Sequence, residues 1–345
     1  MFRCPKCHSS RLDTFATLWR CTFCGRVFPC VQGVPILYLE EQVSERDKHL
    51  RDYLYESWLG STYNFAIPLF TLPARPLTSS WPYWFTYIAI IAFLLVTAIR
   101  WALILFGSSS TSAIDFFLAG IVGIFLILVW RNSHGATRTL FASLSTWLTL
   151  VVPVKLSLIF RKFRPEESFT DLHSRVVSEF RERRGLKILD VSTGTCNSLY
   201  RHGWMALDAE FVGVDLSETM LLQGMRFMSE KQVPMKFALA DAANLPFESE
   251  TFDIVLSYGA MNALNDPRLA LSEMARVAKR GALVLILDEQ LREGASWVER
   301  TYFDKVLSGY EIIHECPVDM FPPTLQRVKV MQVYEFFYVC TCYKQ

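Results

Sequence analysis

The sequence predicts an α/β fold in its second half, residues 168–345, joined to a small cysteine module and a strongly apolar middle. Three observations predict this. Short apolar runs ending in acids alternate with helix-like stretches, which implies a parallel sheet with helices on both faces. Two Cys-x-x-Cys pairs lie close together near the start. The hydrophobic fraction, 51%, is concentrated between Trp81 and Phe160. The charge is balanced, at 35 basic against 34 acidic residues, whereas nucleic-acid binders usually carry a basic excess.

Residues 1–40 form the first element. Cys4-Pro-Lys-Cys7 and Cys21-Thr-Phe-Cys24-Gly25 are two knuckles with thirteen residues between them. Each offers two thiolates from one tight turn, and together they complete a tetrahedral four-sulfur site. No coordination position stays open, so the expected zinc on Cys4, Cys7, Cys21 and Cys24 is structural. Disulfides or free thiols are the alternative. The opening Met-Phe-Arg-Cys-Pro has no apolar h-region, which favours a reducing compartment and metal. The run Val34–Leu39 reads as a strand. In residues 41–80 a charged stretch leads into Tyr53–Phe70, spaced like an amphipathic helix, and prolines 68, 73 and 76 break any regular structure after it.

Residues 81–131 read as a helical transmembrane hairpin. The runs 83–106 and 114–130 each approach the ~20 residues that span a bilayer core. Gly107–Ala113 is polar and uncharged, and Trp81, Tyr83, Trp84 and Trp130 suit the aromatic belt. Buried helices of a soluble protein are the alternative reading. Arg131, Arg138, Arg161, Lys162 and Arg164 come after the second run, so both termini are expected in the cytoplasm. Residues 139–165, with Pro153 and Lys155, read as an interfacial amphipathic helix. The expected partner is thus the lipid bilayer.

In the last segment, Leu186–Asp190 reads as a buried strand running into Val191-Ser-Thr-Gly194-Thr-Cys196-Asn197 and then a helix. A strand, a Gly-bearing turn and a helix N-terminus offer backbone N–H groups to a polar ligand. Phe211–Asp215 is a second strand, and its terminal acid can accept both ribose hydroxyls of a nucleoside. A third run, Phe237–Ala243, carries Asp241. Thr251–Ser257 and Ala282–Asp288 are the fourth and fifth. Ligands of such sheets bind beyond the carboxyl ends of the strands.

These residues resemble the class I S-adenosylmethionine-dependent methyltransferases. Ile188–Cys196 matches the first motif of that family and Val212–Leu221 the second. Ala240–Asp253 matches the third and fourth, and Leu271–Gly281 the helix and turn before the fifth strand. The resemblance implies a Rossmann-like seven-stranded sheet and S-adenosyl-L-methionine as cofactor. It implies cofactor contacts from Asp190, Ser192, Gly194, Asp215, Leu216, Asp241, Ala242 and Ser257. The wording is similar to the ubiquinone/menaquinone-type methyltransferases. Tyr258-Gly-Ala-Met-Asn262-Ala resembles their segment after the fourth strand, which makes Tyr258 and Asn262 candidates to face substrate. Tyr55–Tyr63 resembles their lid helix, and the cysteine module resembles short zinc ribbons found beside some methyltransferases.

One departure stands out. The family's first motif carries three glycines at alternate positions, and here they are Ser192, Gly194 and Cys196. A non-catalytic scaffold therefore stays open as a reading. So does an RNA methyltransferase, against which the hairpin and the charge balance count. A Rossmann dehydrogenase would want a fuller glycine fingerprint. The function expected is a membrane-anchored methyltransferase acting on a lipid-phase small molecule such as a quinol. The sequence identifies no catalytic base and no oligomeric state.

Overall fold

Four short strands build an antiparallel sheet around the two cysteine knuckles: β1 (Leu12–Thr14), β2 (Leu18–Cys21), β3 (Val27–Val31) and β4 (Val34–Pro35), in that spatial order. Helix α1 (Glu45–Leu50) comes next. The Ser44 side chain accepts from Asp47 N at its start, and Glu45 and Asp47 suit the positive end of its dipole. The helix runs on without a break into a π-helical turn, Arg51–Tyr55.

The computed structural model describes residues 1–57, 60, 169–308 and 311–345. The expected hairpin (83–106 and 114–130), the expected interfacial helix (139–165) and most of the linker beyond Ser57 lie outside the described residues. Among the described residues no helix is long and apolar enough to cross a membrane.

The second half forms a mixed seven-stranded sheet. Strands β5 (Leu186–Val191), β6 (Ala209–Asp215), β7 (Met235–Leu239), β8 (Phe252–Tyr258) and β9 (Ala278–Glu289) are mutually parallel. Their near-continuous apolar sequence results from burial on both faces. The last two strands, β10 (Leu325–Tyr334) and β11 (Phe337–Lys344), form a hairpin, and β11 pairs antiparallel with β9. The order is β10-β11-β9-β8-β5-β6-β7. The chain winds outward from β5 in one direction through β6 and β7, and in the other through β8 and β9. That reversal opens a crevice beyond the carboxyl ends of β5 and β8, where doubly wound sheets bind ligands. Helices α2 (Phe169–Phe180), α3 (Asn197–Arg201), α4 (Glu218–Glu230), α5 (Pro267–Val277) and α6 (Trp297–Tyr302) complete the unit.

Strand periodicity divides the core in two. Leu186, Ile188, Phe211, Ile254 and Leu285 pack with Leu172, Phe180 and Trp204 on one face. Leu189, Val191, Val212, Val255 and Val284 face the other way. This second core takes in Cys4, Cys21, Phe28, Leu37 and Leu39, so the cysteine module is built into the sheet's own interior. Backbone joins them as well. Leu37 N donates to Leu239 O at 2.7 Å and Arg3 N to Pro246 O at 2.9 Å, while Ile36 bridges in parallel to Leu239.

Candidate functional site

The turn after β5 decides the shape of the crevice. Ser192, Gly194 and Cys196 have φ of 57°, 51° and 58°, so all three positions hold the left-handed conformation that glycine takes most easily. Serine and cysteine there carry a strain of roughly 1–2 kcal/mol each. The extra side chain at 196 does not enter the crevice. Cys196 is fully buried, its sulfur 3.4 Å from Thr193 Oγ1 and packed among the apolar residues beneath the turn. Room for it comes from Gly224 on α4, where a Cβ would stand 2.8 Å from Cys196 Sγ and 2.7 Å from Gly194 O. The helix gives up a side chain where the turn has gained one.

Three acids stand at or near the strand ends. Asp215, partly buried, accepts from Gly194 N at 2.8 Å and Ser217 N at 2.9 Å, one on each oxygen. A carboxylate oxygen has two lone pairs, so each keeps acceptor capacity. Burial pushes the Asp215 pKa up to about 6, against the pull of these backbone donors. Asp190 is buried deeper. Its Oδ2 accepts from Thr193 Oγ1 at 2.6 Å, and its Oδ1 has no hydrogen-bond partner among the described residues. Burial pushes it up to about 7, with the charge of Asp215 adding to the effect. Asp241 lies two residues beyond β7. It accepts from Ala243 N at 2.9 Å and is likewise raised by burial.

A cavity of about 280 Å³ opens over these groups. Of the residues anticipated from sequence, Ser192, Gly194, Asp215, Leu216, Asp241, Ala242 and Tyr258 line it. Asp190 and Ser257 do not; both are buried, and Ser257 Oγ also lacks a partner among the described residues. Tyr258 presents its ring to the cavity, but its hydroxyl accepts from Trp204 Nε1 at 2.7 Å, and burial holds its pKa above the usual tyrosine value. It is a neutral phenol at physiological pH. The structure does not bring Asn262 to the cavity. Asn262 is fully buried, its N–H on Asp288 Oδ2 at 3.0 Å, its Nδ2 on Glu289 O at 2.6 Å, and its Oδ1 accepting from Tyr338 OH at 3.2 Å. Every polar atom of that side chain is spent on holding the chain after β8 against the end of β9.

One wall comes from α1 and the turn after it: Asp47, Leu50, Arg51 and Tyr55 also line the cavity, and of these only Tyr55 lies in the segment the sequence likened to a lid helix. Glu56 ties this wall down: it accepts from Ser217 Oγ at 2.7 Å and from Thr219 N at the start of α4. Arg51 forks onto both oxygens of Glu40 at 3.0 Å. Nothing local tells Glu56 that its partner lies 161 residues away.

The four knuckle sulfurs lie within 4.8 Å of one another, with Cys4–Cys24 at 3.7 Å and Cys7–Cys21 at 3.5 Å. A zinc tetrahedron with bonds of about 2.3 Å has edges of about 3.8 Å, so these residues have the dimensions of a four-thiolate site. Burial pushes Cys4 up to about 12, whereas a backbone N–H from Arg26 brings Cys24 down to about 7.

Residues 189–286 match the family model of a methyltransferase domain. The match runs from β5 into β9. Over 110 residues the chain is 34% identical to the ubiquinone/menaquinone biosynthesis C-methyltransferase UbiE of Idiomarina loihiensis, covering 31% of this chain and 43% of that protein. Over 119 residues it is 37% identical to the demethylmenaquinone methyltransferase of Staphylococcus aureus strain MRSA252, covering 33% and 47%. The chain thus spans less than half the length of the curated relatives it matches. Among solved structures, phosphoethanolamine N-methyltransferase 2 of Haemonchus contortus, in complex with S-adenosyl-L-methionine, is similar at 16% identity and a TM-score of 0.42, over 50% of this chain and 52% of that one.

Proposed function

We propose that this protein is an S-adenosylmethionine-dependent methyltransferase, anchored in a membrane and acting on a lipid-phase small molecule of the quinol class. The observation that carries the reading is the cavity over Asp215, Asp241 and the first-motif turn, in a chain segment matching a methyltransferase domain. In this reading Asp215 accepts the two ribose hydroxyls with its remaining lone pairs. Asp241 and Ala242 flank the base, and the partnerless Asp190 Oδ1 supports the turn that receives the amino-acid end. The bound donor supplies an activated methyl group on a sulfonium. The protein's part is to align the acceptor atom with it and to exclude water. The neutral, hydrogen-bonded Tyr258 is not a base, and an acidic acceptor such as a quinol needs no strong one.

The membrane part of the proposal is supported by the apolar runs 83–106 and 114–130, with both termini cytoplasmic. Anchoring concentrates an enzyme on a substrate dissolved in the bilayer. The names of the two curated relatives, both concerned with quinone biosynthesis, support the substrate class. Nucleic acid forms no part of the reading. A structural zinc on Cys4, Cys7, Cys21 and Cys24 completes it, and elemental analysis is expected to find about one zinc per chain.

Calorimetry with S-adenosylhomocysteine tests the reading. Two charge-assisted hydrogen bonds at ~1.5–3 kcal/mol each make Asp215→Ala at least about tenfold weaker than wild type. Asp253→Ala is the control, since Asp253 binds Lys187 N at 3.0 Å and Lys279 Nζ at 2.8 Å, away from the cavity. Equal binding by wild type and Asp215→Ala would refute the assigned role, and absence of binding by wild type would refute the donor reading itself.

A further inference from the structure

The loop that brings Asp241 and Ala242 to the cavity is held from the side of the cysteine module. At its start, Leu239 O accepts from Leu37 N at 2.7 Å. In its middle, Asn244 Nδ2 donates to Pro5 O at 3.0 Å and to Gln42 Oε1 at 3.1 Å. At its end, Pro246 O accepts from Arg3 N at 2.9 Å. Pro5 lies inside the first knuckle, between two sulfur ligands. That knuckle belongs to no strand. Its own turn bonds are Cys4 N to Ser9 O and His8 N to Cys4 O, both at 2.8 Å. The residues before it are anchored by Met1 on Glu248 and by Phe2 bridging to Phe247, and Cys4 packs in the core, so the sulfur cluster is what ties the Pro5–Cys7 half of the turn to the second knuckle. The far end of the loop is held from α5: Leu245 N donates to Glu273 Oε2 at 2.8 Å, and Arg276 donates to Leu245 O at 3.0 Å and to Phe247 O at 2.7 Å. The half that carries Asp241 and Ala242 has only the local bonds of Ala243 N to Asp241 Oδ1 at 2.9 Å and Asn244 N to Asp241 O at 3.0 Å, besides the contacts of the Asn244 side chain.

We propose that zinc at the four sulfurs sets the affinity of the cavity for the methyl donor, with Asn244 as the positioning residue between them. The inference rests on the reading of the cavity as a donor site. With metal bound, the Pro5 carbonyl is fixed and Asn244 holds the Asp241–Asn244 half of the loop in its ligand-receiving form. Without metal, the knuckle loses the constraint that joins its two halves. The loop then samples other conformations and must be ordered when the ligand arrives, a cost that emerges as weaker affinity. A purely structural zinc, by contrast, would change overall stability and leave the affinity of the folded molecules untouched.

The experiment is calorimetry of the full-length, detergent-solubilised protein with S-adenosylhomocysteine, in three states: zinc-loaded, stripped with a strong chelator, and stripped then reloaded with zinc. Stripping is expected to weaken binding at least about tenfold, the scale of one or two hydrogen bonds, and reloading to restore it. Asn244→Ala, at unchanged zinc content, is expected to weaken binding about fivefold, the scale of one hydrogen bond. Asn244→Asp, which sets a carboxylate against the Pro5 carbonyl and Gln42 Oε1, should weaken binding at least as much. Stripping should cost less in Asn244→Ala than in wild type, because the link is already cut. Equal affinity in loaded wild type and loaded Asn244→Ala overturns the proposal, even if the stripped protein does not stay folded. Strictly additive effects of stripping and substitution overturn it too. Failure of loaded wild type to bind at all is a different result, which removes the donor reading and this inference with it.

Discussion

Gly224→Ala tests whether the first-motif turn is packed as tightly as the structure shows. In the interior of a helix this change ordinarily stabilises by roughly 0.5–1 kcal/mol, because alanine has less backbone freedom to lose. Here the new methyl would stand 2.7 Å from Gly194 O, 2.8 Å from Cys196 Sγ and 3.2 Å from the Thr195 carbonyl carbon. Two of these are backbone atoms of the turn, which moves only as a unit, and the sulfur is enclosed by core. Overpacking of this kind costs about 1–3 kcal/mol. The net expectation is a loss of roughly 1–2 kcal/mol, a few degrees in Tm for a domain of this size. S-adenosylhomocysteine binding should weaken as well, since Gly194 N is displaced from Asp215. Denaturant titration and calorimetry read the two effects. A Gly224→Ala protein that is more stable by the helix-propensity amount, with unchanged binding, would refute the packing argument.

Cys196→Gly should relieve strain at a left-handed position and leave a small cavity in its place. Binding of S-adenosylhomocysteine is expected to stay close to wild type because the sulfur faces away from the ligand cavity, and a large loss would show that the sulfur shapes the site after all. The raised carboxyls predict opposite pH trends for stability and for binding. Asp190 and Asp215 titrate in the folded state near 7 and 6, above the ordinary aspartate value of 3.8, so the stability they contribute is full below about pH 4 and is lost as pH rises through 6–7. Ribose hydroxyls, however, donate to ionised Asp215, so affinity should fall about tenfold between pH 7.5 and pH 5; a flat profile would exclude Asp215 as the acceptor. A cysteine introduced at Ser109, in the polar link between the apolar runs, should react with an impermeant reagent from outside intact cells. Labelling only after the membrane is broken would reverse the topology.

The parallel half of the sheet was legible because the middles of β5, β6, β8 and β9 (Ile188–Leu189, Phe211–Val214, Ile254–Leu256 and Ala282–Leu287) are apolar runs that close on a polar residue, a pattern set by burial on both faces. The site acids Asp215 and Asp241 were legible for the same reason, as polar residues closing apolar runs. The closing hairpin was not read from the sequence. Leu325–Tyr334 is exposed along much of its length and bulges near Arg327, so it carries no clean period. Asn262 looked available because its neighbours in the chain match a substrate-facing segment. Its true partners, Asp288, Glu289 and Tyr338, come from strands much later in the sequence. Likewise the cysteine in the first motif looked damaging when read alone, because Gly224 makes room for it from the middle of another helix.

The contact between Asn244 and Pro5 joins residues 239 positions apart, and this separation has a consequence during synthesis. At ~5–20 residues per second, the cysteine module leaves the ribosome roughly 10–50 s before the strand and loop it packs against exist. Throughout that interval Phe28, Leu37 and Leu39, all buried in the finished molecule, have no sheet to cover them. The four sulfurs all come from the first 24 residues, so capture of the proposed zinc is a constraint the module can complete alone while it waits. If the proposed zinc holds the module, a nascent chain starved of it would present this apolar surface, on a less ordered module, to chaperones and proteases well before the seven-stranded sheet could cover it.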